Sequence, residues 1–87
     1  MKVEFSHKFI RIFKSRFRGN SKIKDKLKER ARLFEKNPNS PLLKNHPLKG
    51  SGKGYYAFSV TGDIRVIYYV KNNIAYFVDI GTHNQVY

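Results

Sequence analysis

The apolar residues of this chain change their spacing twice, and each change marks a change of secondary structure. Val3 and Phe5 alternate with charged residues, which predicts a short strand over residues 2–5. A helical spacing then holds over residues 7–37, and strand-like alternation returns over residues 55–80. The pattern predicts one strand, a helical region and a group of strands, in that order.

The helical region contains a break that predicts two helices. Ser6 can cap a first helix that begins at His7, and Gly19-Asn20 ends it in the manner of a C-terminal glycine. Asn20 or Ser21 can cap a second helix, which ends near Asn37 because a proline follows. The short connection predicts an antiparallel helix hairpin. The positions that form the helix seams are Phe9, Ile12, Phe13 and Phe17, then Ile23, Leu27, Arg30, Ala31 and Phe34.

Three strands follow an irregular segment at residues 38–53, which is rich in proline and glycine. They span 55–60, 64–70 and 74–80, separated by the turn signals Thr61-Gly62 and Asn72-Asn73. Strands joined by such short turns form an antiparallel meander. Alternation places Phe58, Val60, Ile64, Val66, Val78 and Ile80 on the inward face. The opposite face receives Ser59, Arg65, Ile67, Phe77 and Asp79.

These elements predict a single α+β domain over residues 1–87. Its N-terminal strand is followed by an antiparallel helix hairpin, which packs on one face of an antiparallel β-sheet. The other sheet face carries polar residues, and we expect it to be the functional one.

Charge is distributed unevenly along the chain. Residues 1–53 carry 16 of the 18 lysines and arginines and four of the six acids, so the whole net charge of +12 lies there. Residues 54–87 are neutral overall and contain all six tyrosines. A charge this large favours association with nucleic acid or a strongly acidic protein. The alternative is that it serves solubility alone.

Composition excludes several classes of protein. The chain has no cysteine, so it has no disulfide and no cysteine-based metal site. No run of about 18 apolar residues could span a membrane, and no secretory signal is visible at the N-terminus. We therefore expect a cytoplasmic protein with no membrane partner.

Two histidines are candidates for proton transfer. His46 lies in the irregular segment among cationic residues, and histidine titrates near neutral pH. His83 follows the end of a strand, and Tyr87 lies four residues further on, near enough to converge with it. The competing interpretations are an ordinary loop histidine and a C-terminal tail without a role. The cationic residues near His46 are Lys44, Lys49 and Lys53.

Two charged residues near the first strand turn are further candidates. Arg65 must reach the polar face or be paired, because burying an unpaired charge is costly, and its planar guanidinium suits phosphate. The alternative for Arg65 is an ion pair with Asp79. Asp63 is typical of a turn, and it could act as a general base if it converges with the histidines. Three histidines without His-x-x-x-His spacing give little support for a metal site.

Four segments carry a resemblance that covers nearly the whole chain. They are His46–Gly50, Gly54–Tyr56, Gly62–Tyr68 and Ile80–Tyr87. Together with the strand–helix–helix–sheet order, they resemble the RelE/ParE toxin superfamily and, within it, the YafQ-like branch. The ending Gly-Thr-His-x-x-Val-Tyr is the most specific of these motifs.

The resemblance implies the RelE-like fold and a toxin of a type II toxin–antitoxin system. Such a toxin is a ribosome-dependent endoribonuclease that cleaves mRNA by attack of a 2′-hydroxyl on the adjacent phosphate, without a metal ion or cofactor. Its partners are mRNA, the ribosome and a cognate antitoxin with an acidic segment. The implied catalytic residues are His46, Asp63, Arg65, His83 and Tyr87. We expect Lys44, Lys49 and Lys53 to bind the RNA.

Two residues depart from the YafQ-like pattern. Ser59 stands where these toxins carry a histidine, and Asp79 stands where they carry an arginine. Two other functions therefore stay open: a ParE-like inhibitor of DNA gyrase without nuclease activity, and a basic RNA-binding module whose catalysis has decayed. His46, His83 and Tyr87 favour the ribonuclease, because a pure binding protein would not need them.

Overall fold

The computed structural model describes residues 1–87 and contains three helices and a five-stranded sheet. Two short 3₁₀ turns, Pro41–Leu43 and Gly50–Gly52, lie in the segment expected to be irregular. The α+β order expected from the sequence is present. The elements are β1 (Lys2–Phe5), α1 (His7–Arg16), α2 (Ser21–Lys36), β2 (His46–Pro47), β3 (Tyr56–Ser59), β4 (Ile64–Lys71), β5 (Ile74–Thr82) and α3 (His83–Val86).

The sheet has the strand order β1-β5-β4-β3-β2. The predicted meander of β3, β4 and β5 is antiparallel, as expected. The complete sheet is mixed, because β1 pairs with β5 in parallel and places Phe5 beside Phe77. The two-residue strand β2, which the sequence did not suggest, extends the opposite edge and pairs His46 with Ala57.

Both long helices begin at the caps that the sequence suggests. The Ser6 hydroxyl accepts a hydrogen bond from the Phe9 N–H at 3.1 Å and donates one to the Phe77 carbonyl at 2.8 Å. It therefore caps α1 and ties that helix to β5. The Asn20 side chain accepts from the Ile23 N–H at 3.1 Å and caps α2.

Aromatic rings from α2 and the sheet form the centre of the core. Phe34 is fully buried, and its ring centroid lies 5.1 Å from Phe58, 4.9 Å from Tyr68 and 5.8 Å from Phe77. Stacked and edge-to-face pairs at these separations add to the free energy gained from burying the rings. The helix hairpin therefore packs on one face of the sheet, as predicted.

One expectation about the core was wrong. Phe77 is completely buried in the core, whereas Val78 is only half-buried. The reason is a register shift in the β4–β5 pairing: Ile67 pairs with Asp79, but the next residue, Tyr68, pairs with Phe77. Val78 is thus the extra residue of a β-bulge, which reverses the alternation on its N-terminal side.

β1 pairs only with the first half of β5, so the second half has an unpaired edge. Two side chains form hydrogen bonds with the backbone of that edge. The Arg16 guanidinium donates to the Ile80 carbonyl at 2.9 Å, and Asp79 Oδ1 accepts from the Ile80 N–H at 2.8 Å. Arg16 and Asp79 also form an ion pair at 2.9 Å. These side chains occupy a strand edge that could otherwise pair with another chain.

None of the helices combines the length and the apolar character needed to cross a membrane.

Candidate functional site

The sheet face opposite the helix hairpin, here called the outer face, carries the candidate site. Strand register places His46, Ala57, Arg65 and Gly81 there. The short helix α3 (His83–Val86) covers part of this face. It lies so close that a Cβ atom at position 81 would be 2.6 Å from Gln85 Oε1. The absence of a side chain at Gly81 therefore lets α3 approach the sheet closely.

The short helix α3 brings His83 and Tyr87 together. Thr82 and Gln85 form a capping box, in which the Gln85 side chain accepts from the Thr82 N–H at 2.8 Å. His83 and Tyr87 are four residues apart, so they share one side of this helical turn. Their ring centroids are 4.6 Å apart in an edge-to-face arrangement.

A cleft of about 430 Å³ separates α3 from the segment that follows β2. His46 lies on one wall and Tyr87 on the other, and Lys49 is at the same opening. The structure therefore brings two of the catalytic candidates, His46 and Tyr87, to a single concavity, although 41 residues separate them in sequence. The cleft is lined by His46, Pro47, Leu48, Lys49, Ser51, Gly52, Val86 and Tyr87.

The backbone fixes the proton arrangement of the His46 ring. His46 Nδ1 lies 2.9 Å from the Lys44 carbonyl oxygen. A carbonyl can only accept, so Nδ1 carries the hydrogen and Nε2 of the neutral ring has the available lone pair. An imidazole held in this tautomer is suited to accept a proton through Nε2.

Asn45 connects the His46 segment to the core. Its side-chain oxygen accepts from the Tyr68 hydroxyl at 2.7 Å, and its amide nitrogen donates to the Pro38 carbonyl at 3.0 Å. Tyr68 is almost fully buried. The position of His46 therefore depends on a polar network anchored beneath the opposite face of the sheet.

Arg65 reaches the turn before β4 and approaches the C-terminal tyrosine. Its guanidinium donates to the Thr61 carbonyl at 3.3 Å and the Gly62 carbonyl at 3.2 Å. Burial raises the pKa of the Tyr87 hydroxyl, and the nearby positive charge of Arg65 offsets part of that rise. The ion pair with Asp79, the alternative considered from the sequence, is not formed, because Asp79 pairs with Arg16.

The Tyr87 hydroxyl is held in its protonated form. Nearly half of the Tyr87 side chain is exposed, yet burial around the hydroxyl raises its pKa above the usual value of 10, and the positive charge of Arg65 offsets only part of that rise. The hydroxyl therefore remains a hydrogen-bond donor throughout the neutral range.

The remaining candidates are less closely connected to the cleft. Asp63 is exposed in the turn, and its carboxylate makes no hydrogen bond or ion pair, so the structure does not bring it against either histidine. Lys44 contributes its carbonyl to His46, while Lys44 and Lys53 side chains lie outside the cleft lining. No group of three or more histidine, aspartate or glutamate side chains is arranged to hold a metal ion.

The sequence interpretation missed the residues that support the site. Thr82 and Gln85 have the spacing of a capping box, so the helix α3 had a detectable signal. Asn45 had none, because its partners are distant in sequence. Leu48 and Val86 line the cleft through apolar contacts that only the folded chain creates.

Comparisons with known proteins agree with this architecture. YafQ from E. coli strain BL21(DE3) is 27% identical and has a TM-score of 0.74, with 99% of this chain and 97% of that chain covered. The toxin in the E. coli DinJ–YafQ toxin–antitoxin complex is 30% identical, with a TM-score of 0.79 and coverage of 99% and 96%. The YoeB/ParE toxin from Agrobacterium tumefaciens shares the fold, at 22% identity, a TM-score of 0.77 and coverage of 95% and 99%.

No curated protein sequence matches this chain at a significant level. The model of a protein family, described as the bacterial toxin YafQ of type II toxin–antitoxin systems, matches residues 1–87. This match extends over the helix hairpin, the sheet and the cleft alike. The chain therefore belongs to the YafQ family of type II toxin–antitoxin toxins.

Proposed function

We propose that this toxin is a ribosome-dependent endoribonuclease that cleaves mRNA by transesterification. The observation that carries the proposal is the cleft in which His46 faces Tyr87, with His83 in contact with that tyrosine. Arg65 lies near the same hydroxyl. Proton-transfer groups and a cation are thus grouped on one face of a strongly basic protein, which acts in the cytoplasm.

The reaction needs a base and an acid. The base removes the proton of the 2′-hydroxyl, whose oxygen forms a bond to the adjacent phosphorus. The bond from phosphorus to the 5′-oxygen breaks, and the acid protonates that leaving oxygen. The products are a 2′,3′-cyclic phosphate and a 5′-hydroxyl, so no external reactant is consumed. His46 Nε2 is suited to the role of base, because the Lys44 carbonyl holds the proton on Nδ1.

Tyr87 lies on the other side of the cleft, and His83 packs against it from outside the cleft lining. These two residues would supply the proton-donating groups. The Tyr87 hydroxyl stays protonated near neutral pH, and the ring packs edge-on against His83. We assign proton donation to His83 and the orientation of the leaving group to Tyr87. Separating acid and base on two walls suits a displacement in which the attacking and leaving oxygens lie on opposite sides of phosphorus.

Arg65 and the nearby lysines supply positive charge. A guanidinium held by two backbone carbonyls is oriented in advance, so little reorganisation is needed as negative charge develops on the phosphate. Lys49 stands at the cleft opening, and Lys44 and Lys53 contribute to the surrounding field. Asp63 lies in the turn whose carbonyl groups bind the Arg65 guanidinium, and it would act through its negative charge.

The test is primer extension on a reporter mRNA in a reconstituted translation mixture. The wild type is expected to cut within codons only when ribosomes are present. His83→Ala should lower the cleavage rate at least about 100-fold, the usual minimum for losing an acid–base group. Asn84→Ala, a change at the exposed neighbouring position on α3, is the matched control and should cut normally.

Absence of ribosome-dependent cuts by folded wild-type protein would overturn the nuclease assignment. Stabilised cleavage complexes of DNA gyrase in a parallel assay would then support the gyrase inhibitor. Full cleavage activity of His83→Ala would still support the nuclease function but would show that His83 is not one of its catalytic residues.

We also propose that a cognate antitoxin binds the helix hairpin through an acidic segment. YafQ of E. coli has been solved in complex with its antitoxin DinJ. In this chain, a groove of about 760 Å³ runs between α1 and α2 over an apolar floor that includes Phe13 and Leu27. Its lining also includes the basic residues Lys14, Arg18, Lys24 and Lys28. Carboxylates flanking an apolar stripe would complement this surface.

Titration calorimetry with the cognate antitoxin tests that proposal. Lys24→Glu combined with Lys28→Glu should weaken the complex at least tenfold, and the loss should shrink in high salt. Lys53→Glu combined with Lys71→Glu, at two exposed positions outside the groove, is the control for total charge and should bind normally. Equal losses from both changes would show that the groove has no specific role.

A further inference from the structure

Three tyrosines form a row across the outer face of the sheet, outside the lining of the cleft. Tyr69 pairs with Tyr76 in strand register, and their rings stack with centroids 5.2 Å apart and planes 19° apart. Tyr55 meets Tyr69 edge-on at 5.8 Å. Tyr55 is 39% exposed, and the other two are half-buried. The row therefore crosses from the start of β3 to β5 with part of each ring accessible.

This row lies on the same face of β4 as Arg65. Residues 65, 67 and 69 alternate with the core residues of that strand, so Arg65 and Tyr69 point to the same side. Four residues of strand separate them by about 13 Å. A single RNA strand whose phosphate lies at Arg65 could therefore reach the tyrosines with neighbouring nucleotides.

The charges around the row suit a polyanion. Lys2 and Lys71 both pair with Ile74 and flank the Tyr76 end of the row on the same face. The row also has an acidic neighbour, because Glu4 pairs with Tyr76. Aromatic rings next to cations on an open sheet are the arrangement on which unpaired bases stack, whatever their sequence.

Cross-strand packing alone would account for the Tyr69–Tyr76 contact, since such pairs stabilise sheets. It does not account for Tyr55, which precedes β3 and leaves much of its ring in solvent. The core side of the same sheet is built mainly from phenylalanine and aliphatic residues. Tyrosine suits such a surface, because its hydroxyl is compatible with water when no ligand is bound and its ring can stack on a base when one is bound.

We propose that Tyr55, Tyr69 and Tyr76 form a stacking platform for unpaired bases of the RNA strand that enters the cleft. This inference rests on the proposed ribonuclease function. Arg65 and the cleft residues would hold the scissile phosphate, and the platform would hold the flanking nucleotides. It would contribute affinity and the direction of the strand without specifying a sequence.

The test measures binding separately from cleavage. Fluorescence anisotropy gives the dissociation constant for a labelled single-stranded oligoadenylate, with His83→Ala as the background so that the strand stays intact. An abasic ribose–phosphate strand of equal length reports the contribution of charge alone. Tyr55→Leu and Tyr69→Leu should each weaken oligoadenylate binding at least about fivefold and leave abasic binding unchanged.

Two matched variants separate stacking from structure. Tyr56→Leu alters a tyrosine that is 38% exposed, adjacent in sequence to Tyr55 but on the core side of the sheet, and it should bind oligoadenylate normally. Tyr69→Phe keeps the ring and should also bind normally. Circular dichroism at the binding temperature identifies the variants that are folded. If Tyr69→Leu unfolds, Tyr55→Leu still tests the proposal, because Tyr55 is exposed and its loss should not unfold the protein.

The proposal would be overturned if Tyr55→Leu bound oligoadenylate as the background does. It would also be overturned if the background bound oligoadenylate no more tightly than the abasic strand. A wild type that cut no mRNA in the presence of ribosomes but showed the tyrosine-dependent preference for oligoadenylate would refute the nuclease and retain the platform.

Discussion

The two faces of one sheet differ in how their side chains are held. On the core face, Phe34 closes over Phe58 and Phe77, and all three rings are completely buried. On the outer face, Tyr69 and Tyr76 touch each other but remain partly exposed. A core side chain is fixed by many apolar contacts. The partly exposed outer side chains make fewer contacts: Arg65 donates to two backbone carbonyls, and Tyr69 stacks on Tyr76. We therefore expect substitutions of these side chains to cost little folding free energy.

Strand register transmits this difference to the candidate site. Successive residues of β4 serve opposite faces, so Arg65 is positioned by the packing of Ile64 and Val66. The core therefore sets the geometry of the outer face without contributing chemistry to it. Changes to the core should lower stability and activity together, whereas outer-face changes should separate the two.

The largest expected effect comes from Phe34→Ala. Removing this ring leaves a cavity among three aromatic neighbours and should cost about 3–5 kcal/mol of unfolding free energy. For a domain of this size, that lowers Tm by at least about 12 °C. Thermal circular dichroism measures it. Leu42→Ala, at a leucine that is 63% exposed, is the control and should change Tm little.

Asn45→Ala should affect both faces, because Asn45 connects buried Tyr68 to the His46 segment. The Tyr68 hydroxyl would lose its partner while buried, at a cost of about 1–3 kcal/mol. Denaturant unfolding should show that loss, and mRNA cleavage should fall further than the folded fraction does. Asn39→Ala, at an exposed position of the same segment, should alter neither quantity. A normal cleavage rate in folded Asn45→Ala would show that His46 needs no such anchor.

Arg16→Ala should have a smaller effect, confined to the uncovered edge of β5. It removes one ion pair and one hydrogen bond to the Ile80 carbonyl, both partly exposed, for a loss of about 1 kcal/mol. Chemical denaturation of Arg16→Ala, Asp79→Asn and the double variant measures the coupling. Arg11→Ala removes an exposed arginine of the same helix and should be near neutral. Additive losses at 16 and 79 would indicate no coupling across the edge.

Alkaline pH should produce the smallest effect. Burial raises the pKa of Tyr68 above 10, and its hydrogen bond to Asn45 offsets only part of that rise. The folded protein then binds this proton more tightly than the unfolded chain does. The resulting stability is complete below about pH 10 and is lost as pH rises through the folded pKa. Tm measured on either side of pH 10 should fall less in Tyr68→Phe than in wild type, and equal falls would contradict this.

The sequence predicts best where one physical rule acts locally. The caps Ser6 and Asn20, the helical seam through Phe34 and the two strand turns all follow from short-range patterns, and the structure confirms them. The core alternation fails at Val78 and Phe77, because a bulge depends on pairing between strands and leaves no reliable mark in one strand alone.

Local sequence patterns predicted the candidate site less completely than they predicted the helices and strands. Residue chemistry and position singled out His46, Arg65, His83 and Tyr87, and the family resemblance then matched them to catalytic positions. The structure places them around one region of the outer face. Their catalytic roles remain predictions. The capping box before His83 was recognisable from Thr82 and Gln85, but the Asn45–Tyr68 bond and the Arg16 contact with β5 join residues at least 23 positions apart. Such contacts follow from the complete fold.

The parallel pairing of β1 with β5 has a consequence for the timing of synthesis. Residues 2–5 leave the ribosome early, yet their sheet partners, residues 74–77, are made more than sixty residues later. Until those partners emerge, the first strand has no edge to join and α1 has no β5 to pack on. The sheet therefore cannot be completed until residues 74–77 have emerged, and any partner that recognises the finished sheet can bind only after that point.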